Sequence, residues 1–268
     1  MVTKAVHIEL VEDLTTESFI AALKRVIARR GKIKNIYSDN ERNFVSVDRV
    51  LQQMFQETKF QEAVQQFAAN ERVNWHFIPP RSPHYGGIWE AAVRAMNLHF
   101  KRTIGESCLT VSEMSTILTQ IEAMLNSRPL TPLSEDPDDL RALTSGHFLI
   151  GENLQSYLEL SLEEVPRNTL SRWQYVEQLR QHLWSWWQKE YLSICQQRNK
   201  WKTESHAKFK VGQLVMLKDT ETLPLQWILA RIKEIHPGTD GVVMTVTLRT
   251  SKGIYKRAIV NISPICEN

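Results

Sequence analysis

The stretch TTESFIAALKRVIARRGKIKNIYSDN, residues 15–40, contains the signals that decide the fold class. Apolar residues recur at intervals of three and four over residues 15–30, which predicts an amphipathic helix that Gly31 closes. Residues 32–40 follow as a short β-branched and aromatic run that ends in polar turn formers, which predicts a strand. A helix joined directly to a strand is typical of an α/β fold.

The alternation of strands and helices extends on both sides of this stretch, up to about residue 133. The predicted elements are a strand over residues 5–11, a helix over 47–69, a strand over 73–78, a helix over about 87–103 and a helix that begins at Thr110. A capping box from Thr110 to Glu113 marks the start of the last of these helices. Residues 1–133 are therefore predicted to form an α/β core.

The second half of the chain differs in composition and in predicted secondary structure. An acidic stretch rich in proline and aspartate, residues 134–139, indicates a boundary. Residues 167–202 form a predicted long helix whose tryptophans are best explained as a packing face. Residues 208–265 hold four or five short strands, which suits a small β-barrel. We therefore divide this half into a linker with its helix, residues 134–203, and a small basic barrel, residues 204–268.

Composition excludes several classes of protein. The chain is 42% apolar and 24% charged, as in ordinary globular proteins, and it has no apolar run long enough to span a membrane. The first residues lack the apolar block of a signal peptide. The cysteines, Cys108, Cys195 and Cys266, are far apart and odd in number. This pattern argues against a disulfide framework or a cysteine zinc site and fits an intracellular, reducing location, in the nucleus or cytoplasm.

The net charge of +3 is the sum of an acidic region and a basic region of the chain. Residues 134–166 hold eight acids against one base, and residues 198–257 hold twelve Lys or Arg against five acids. A basic terminal module can bind nucleic-acid phosphates without reading bases, although the same charges also suit an idle solvated surface. The candidate phosphate contacts are Lys208, Lys210, Arg231, Lys233, Arg249, Lys252, Lys256 and Arg257.

Two carboxylates lie where predicted strands end and predicted helices begin. In α/β sheets, ligand-binding and catalytic residues concentrate at such positions. Asp39 follows a predicted strand, and Glu90 opens a predicted helix behind Gly86 and Gly87. Each has an ordinary alternative, a turn or cap for Asp39 and a helix start for Glu90. If the two acids face each other about 4 Å apart, they repel by roughly 4 kcal/mol at an effective dielectric of about 20, so they need a cation between them. Oxygen ligands favour Mg²⁺ or Mn²⁺ over zinc, and such ions promote phosphoryl displacement.

Several separated blocks, in the same order, resemble the integrase region of retrotransposon polyproteins of the Pao/BEL group. The blocks are TKAVHIELV, SDN-x-x-NF at residues 38–44, W-x-FIPPRSPHYGGIWEAAV, QIEAMLNSRPL and GHFLIG. The later blocks VGQLVMLKD, QWILARI and HPG-x-DG resemble the domain that follows the integrase core in that family. The resemblance therefore covers nearly the whole chain.

This resemblance implies a ribonuclease-H-like core, a helical linker and a small SH3-like all-β barrel. It also implies a DDE metal triad that joins cDNA ends to target DNA with Mg²⁺ or Mn²⁺. Asp39 matches the second aspartate of the triad and Glu90 matches its glutamate, so both are expected to be catalytic and metal-binding. DNA is the expected partner, multimers are implied, and no membrane is.

The chain also departs from the family pattern. The family's first aspartate and its N-terminal zinc module lie upstream of the TKAVH block, so neither matches a residue here and no zinc is expected. Glu41 stands where the family usually has glycine after Asn40. We therefore expect at most one weakly held ion and little or no strand transfer by this chain alone. Two interpretations stay open: an integrase region active in a longer polyprotein, and a non-enzymatic remnant that binds DNA or integrase partners.

Overall fold

The computed structural model describes residues 3–13, 15–38, 62, 74–77, 100–101, 104–105, 107–157, 159–202, 209–218, 222–238 and 243–265. The chain divides into two compact units. One comprises His7–Leu98, and the other comprises Met1–Val6 together with His99–Asn268. The fold is mixed α/β and includes a five-stranded antiparallel sheet.

In the unit His7–Leu98, helix α1 (Thr16–Arg30) begins and ends where the sequence predicts. The hydroxyl of Thr15 accepts a hydrogen bond of 3.2 Å from the backbone N–H of Ser18, which caps the amino end. Gly31 closes the helix at φ 83°, a left-handed value that favours glycine, and its N–H donates to the carbonyl of Ile27 at 2.8 Å.

Strands β1 (Asn35–Ser38) and β2 (Asn74–Phe77) pair in parallel, with Asn35 opposite Asn74 and Ser38 opposite Phe77. Both strands confirm the sequence prediction. Parallel pairing needs a crossover connection, which fits an α/β layer rather than a hairpin. The register also brings the carboxyl ends of the two strands to the same edge.

The prediction of a strand over residues 5–11 is wrong, because these residues have no regular secondary structure. In the unit that contains residues 1–6, the backbone N–H of Val6 donates to Oδ1 of Asn126 and its carbonyl accepts from Nδ2, both at 2.8 Å. A side-chain amide therefore takes the hydrogen bonds that a neighbouring strand would use. In the other unit, Glu9 accepts from the Arg25 guanidinium at 2.7 Å, and this hydrogen bond lowers the pKa of Glu9 against the opposing effect of burial.

Helix α2 (Val111–Asn126) starts with the predicted capping box. The backbone N–H of Glu113 donates to the Thr110 hydroxyl at 3.3 Å, and the Glu113 carboxylate accepts from the backbone N–H of Thr110 at 2.7 Å. The buried face includes Ile117, Ile121, Met124 and Leu125. The hairpin strands β3 (Pro129–Pro132) and β4 (Ala142–Thr144), and the short helix α3 (Ser145–Ile150), follow.

The long helix α4 (Arg172–Lys202) follows a 3-10 turn at Arg167–Thr169. Two of its central tryptophans are buried, Trp184 at 1% and Trp187 at 5% exposure, whereas Trp186 is exposed. Both rings pack edge-on against Trp227, with centroids 5.2 and 5.5 Å away. Packing rather than base stacking therefore explains these two tryptophans.

A polar face of α4 binds an irregular segment of the chain, residues 159–166, which includes a turn. Gln178 donates through Nε2 to the carbonyls of Leu162 and Val165 at 2.7 Å, and Gln181 donates to the carbonyl of Leu160 at 2.9 Å. The buried glutamines therefore satisfy the backbone of a segment that has no regular structure of its own.

The strands of the C-terminal sheet are β5 (Leu214–Leu217), β6 (Leu229–Pro237), β7 (Val243–Thr250), β8 (Gly253–Ala258) and β9 (Ile262–Pro264). Their order is β8–β7–β6–β5–β9, all antiparallel, with a 3-10 turn at Ile259–Asn261 before β9. One apolar cluster includes Val215, Ile232 and Leu248, and a second joins Leu214 and Met216 to α4. Apolar layers therefore lie on both faces of the inner strands.

The cysteines differ from the sequence expectation. Cys195, at 1% exposure on α4, is disulfide-bonded, whereas Cys108 is free and exposed. The odd count and wide spacing of the three cysteines did not predict this bond.

Candidate nucleic-acid interface

The two candidate catalytic carboxylates, Asp39 and Glu90, lie outside the described residues, as do most of the predicted helices over 47–69 and 87–103. The structure nevertheless describes the strand that precedes Asp39. Strand β1 ends at Ser38, directly before Asp39 in the sequence, and lies parallel to β2. Their assignment to one metal site stays a prediction.

The candidate phosphate contacts fall into three groups. Lys208 lies outside the described residues, and Arg231 is buried. The remaining six are exposed: Lys210, Lys233, Arg249, Lys252, Lys256 and Arg257. Four of these six lie on strands β7 and β8 or in the turn between them, residues 243–258, which we call the basic hairpin.

A tight turn closes the basic hairpin and presents Lys252. Thr250 pairs with Gly253 across the turn, so only two residues connect the strands. The Thr250 hydroxyl donates to the carbonyl of Gly253 at 2.9 Å and accepts from the backbone N–H of Lys252 at 3.2 Å. Gly253 has φ 130°, which L side chains rarely adopt, so glycine is needed here.

The register of the basic hairpin puts cationic side chains on both faces of the sheet, since opposed residues in an antiparallel pair share a face. Arg249 lies opposite Ile254, and Thr247 lies opposite Lys256, on one face. Tyr255 lies on the other face with Arg257, whose guanidinium carbon is 5.6 Å from the Tyr255 ring centroid. An aromatic ring beside a cation offers a contact for a base or sugar next to one for phosphate.

Arg231 is a structural residue rather than a surface cation. It is 5% exposed, and its guanidinium donates to three backbone carbonyls. These are the carbonyls of Asp139 at 2.8 Å, Gly212 at 2.8 Å and Ser134 at 2.7 Å. Its donors are therefore used within the fold, and we leave Arg231 out of the DNA-contact surface.

The acidic segment 134–139 contacts the sheet, a role that its sequence did not indicate. Besides the backbone contacts to Arg231, the Asp138 carboxylate forms an ion pair with Arg249. Hydrogen bonds from the Arg141 side chain hold the pKa of Asp139 well below its usual range, so this carboxylate is ionised. The sequence of this segment predicts only a boundary, because nothing local shows which strand the segment contacts.

Among the residues that the structure describes, no group of three or more His, Cys, Asp or Glu side chains is placed to hold a metal ion. No described helix is both long enough and apolar enough to cross a bilayer.

Comparisons with known proteins match the chain in two ways. A family model described as a family of unknown function (DUF5641) matches residues 171–265, which comprise α4 and the five-stranded sheet. A chain in the cryo-EM structure of the simian T-cell lymphotropic virus intasome in complex with the PP2A regulatory subunit B56 gamma is similar over 94% of this chain, with 11% identity and a TM-score of 0.35. This chain spans 65% of the length of that one. A comparison with curated proteins gives no match.

Proposed function

We propose that this chain is the integrase region of a retrotransposon polyprotein of the Pao/BEL kind, and that its C-terminal sheet binds DNA through phosphates. DNA integration is then the activity of the longer polyprotein. The single observation that carries the binding function is the basic hairpin, where Arg249, Lys252, Lys256 and Arg257 are all exposed on one short stretch of sheet.

The sequence blocks and the unit His7–Leu98 support the catalytic part of the proposal. The parallel pair β1–β2 is what a ribonuclease-H-like core requires next to an acid at a strand end. Ser38, the last residue of β1, belongs to the same Ser-Asp-Asn motif as Asp39. This arrangement favours a functional role for Asp39 over a simple turn.

The donor set of the proposed site suits Mg²⁺ or Mn²⁺, because Asp39 and Glu90 supply carboxylate oxygens and no thiol or imidazole. A bound divalent ion supplies the charge stabilisation that phosphoryl transfer needs. The part played by this chain is to hold the ion through Asp39 and Glu90 and to fix the DNA backbone on the sheet.

The C-terminal sheet supports the binding part. Five antiparallel strands in this order suit an SH3-like module, and the hairpin at one edge of the sheet carries the charge. Contacts to phosphate fix a protein on DNA without reading sequence. Binding of this kind needs neither Asp39 nor Glu90, so the same hairpin would serve a non-enzymatic remnant that binds DNA.

The test is DNA binding by the full chain, measured as fluorescence anisotropy of a labelled duplex of about 30 base pairs over a range of salt concentrations. The variant Lys252→Ala, Lys256→Ala, Arg257→Ala removes three exposed charges from the basic hairpin. Each lost phosphate contact is expected to make the slope of log K against log salt shallower by about 0.9. Affinity is expected to fall alike for duplexes of unrelated sequence.

The matched control is Lys24→Ala, Lys32→Ala, Lys34→Ala, which removes three exposed charges from the unit His7–Leu98. The proposal expects this control to keep nearly all of the affinity and the salt slope. Equal losses in the two triple variants would contradict a binding surface on the hairpin. Absence of DNA binding by the wild-type chain would contradict the binding function altogether.

A further inference from the structure

Two arginines opposite each other on the sheet have different partners. Arg231 on β6 pairs in register with Arg249 on β7, so both lie on one face. The Arg231 guanidinium is buried among backbone carbonyls, whereas Arg249 is 46% exposed and forms an ion pair with Asp138. The first is fixed within the fold, and the second is paired where solvent and ligands can reach it.

The segment that carries Asp138 is anchored independently of that ion pair. The carbonyls of Ser134 and Asp139, at its two ends, both accept from Arg231. Within the segment, the backbone N–H of Asp138 donates to Oδ1 of Asp136 at 2.9 Å, and the Ser134 hydroxyl donates to Asp139 at 3.0 Å. The buried arginine and the internal turn therefore hold Asp138 beside Arg249, and loss of the ion pair leaves these contacts in place.

The ion pair itself is exchangeable. The Asp138 side chain is 66% exposed, and exposed ion pairs contribute only about 0.2–1 kcal/mol. A phosphate group presents the same kind of anionic oxygens to a guanidinium as a carboxylate does. Arg249 shares its face with Lys256, so a DNA backbone lying on the hairpin would meet Arg249 at the position that Asp138 occupies.

We infer that Asp138 is an internal competitor for DNA: its carboxylate occupies a phosphate-binding position at Arg249, and a DNA phosphate displaces it. This inference rests on the proposed DNA-binding function and adds its regulation. Because DNA has to displace the Asp138 carboxylate, the affinity of the free chain for DNA is lower by the strength of one exposed ion pair. The acidic segment thus reduces binding to weak or non-specific anions, while a duplex that engages the rest of the hairpin overcomes it.

The experiment compares single and double variants of the full chain in the same anisotropy assay. Asp138→Asn is expected to raise affinity about 1.4- to fivefold at low salt, the range that one exposed ion pair represents. In the Arg249→Ala background the phosphate-binding position is absent. Asp138→Asn is therefore expected to change DNA affinity only by the small effect of removing one negative charge. Thermal unfolding midpoints verify that all variants stay folded.

Glu135→Gln is the matched control, because it removes one exposed acid from the same segment. If Asp138→Asn raises affinity no more than Glu135→Gln, or does so equally in the Arg249→Ala background, the competition is refuted while DNA binding by the hairpin stands. If neither the wild type nor any variant binds DNA, the proposed function fails and this inference fails with it.

Discussion

The indole Nε1 of Trp227 donates a hydrogen bond of 3.1 Å to the hydroxyl of Ser127, one hundred residues earlier in the chain. Ser127 is fully buried and caps helix α2, where its own hydroxyl donates to the carbonyl of Met124 at 2.8 Å. Trp227 lies just before β6 and packs edge-on against Trp184 and Trp187 of α4. One side chain thus ties α2, α4 and the sheet into a common core.

Replacing Ser127 with Ala is therefore expected to destabilise this unit. The substitution leaves the indole N–H of the partly buried Trp227 without its acceptor, which costs about 1 kcal/mol. Chemical denaturation of the full chain measures the loss. Ser115→Ala, at an exposed position of the same helix, is the control and is expected to change stability by less than about 0.5 kcal/mol. Equal effects of the two substitutions would show that the hydrogen bond contributes nothing.

The contact between Glu113 and Arg172 predicts a pH dependence of stability. Hydrogen bonds from Arg172, at 2.6 and 2.7 Å, are the main cause that lowers the pKa of Glu113 from its usual 4.5 to about 2. A lowered folded-state pKa stabilises the fold above the unfolded value, and the contribution is lost as pH falls from 4.5 toward about 2. This contact between α2 and α4 is therefore expected to weaken in that window.

Glu113→Gln isolates the effect, because glutamine keeps the capping box with Thr110 but not the charge. The variant is expected to have a lower thermal midpoint than the wild type at neutral pH, and the difference is expected to shrink below pH 4.5. Thermal unfolding followed by circular dichroism at several pH values provides the measurement. In the Arg172→Gln background the difference should be small at every pH. A difference that stays constant down to pH 2 would contradict the assignment.

Local signals in the sequence were enough to predict most elements of secondary structure. The Thr110–Glu113 capping box, the Gly31 helix stop and the strand periodicity of residues 208–265 all act over a few residues, and the structure confirms each. Residues 5–11 have the composition of a strand, but Asn126 from a distant helix takes the hydrogen bonds of Val6. The composition of residues 5–11 does not show that a distant side chain takes these backbone hydrogen bonds.

The candidate site depends on contacts over long sequence separations, which is why the sequence predicted only part of it. Arg231 and Arg249 are equally basic in the sequence, and only the strand register and the approach of residues 134–139 separate a buried arginine from an exposed one. The exposed lysines of the hairpin could be predicted from the sequence, because their prediction needs only strand alternation and a turn signal. Asp39 and Glu90 depend on the family resemblance, and their placement stays a prediction.

The difference between buried and exposed basic residues on β6 is testable with two substitutions. Arg231→Met leaves three backbone carbonyls without their charged donor and is expected to cost about 1.5–3 kcal/mol of unfolding free energy. Lys233, two residues along at a register shift of the strand, is exposed, and Lys233→Met is expected to change stability by less than about 0.5 kcal/mol. Urea denaturation gives both values. The opposite order would mean that Arg231 is not a structural anchor.

The metal site predicted at Asp39 and Glu90 can be tested apart from DNA binding. Isothermal titration of the full chain with Mn²⁺ is expected to show one weak site, which Asp39→Asn and Glu90→Gln each abolish because a single remaining carboxylate cannot hold the ion. Mn²⁺ at about ten times its Kd should raise the unfolding free energy of the wild type by about 1.4 kcal/mol and that of the variants by almost nothing. Glu62→Gln, at an exposed helical position, is the control and should retain the site. DNA affinity without the ion should be unchanged in all three variants, because the hairpin supplies the phosphate contacts. Mn²⁺ binding that survives in both carboxylate variants would remove the catalytic half of the proposal and leave a DNA-binding protein.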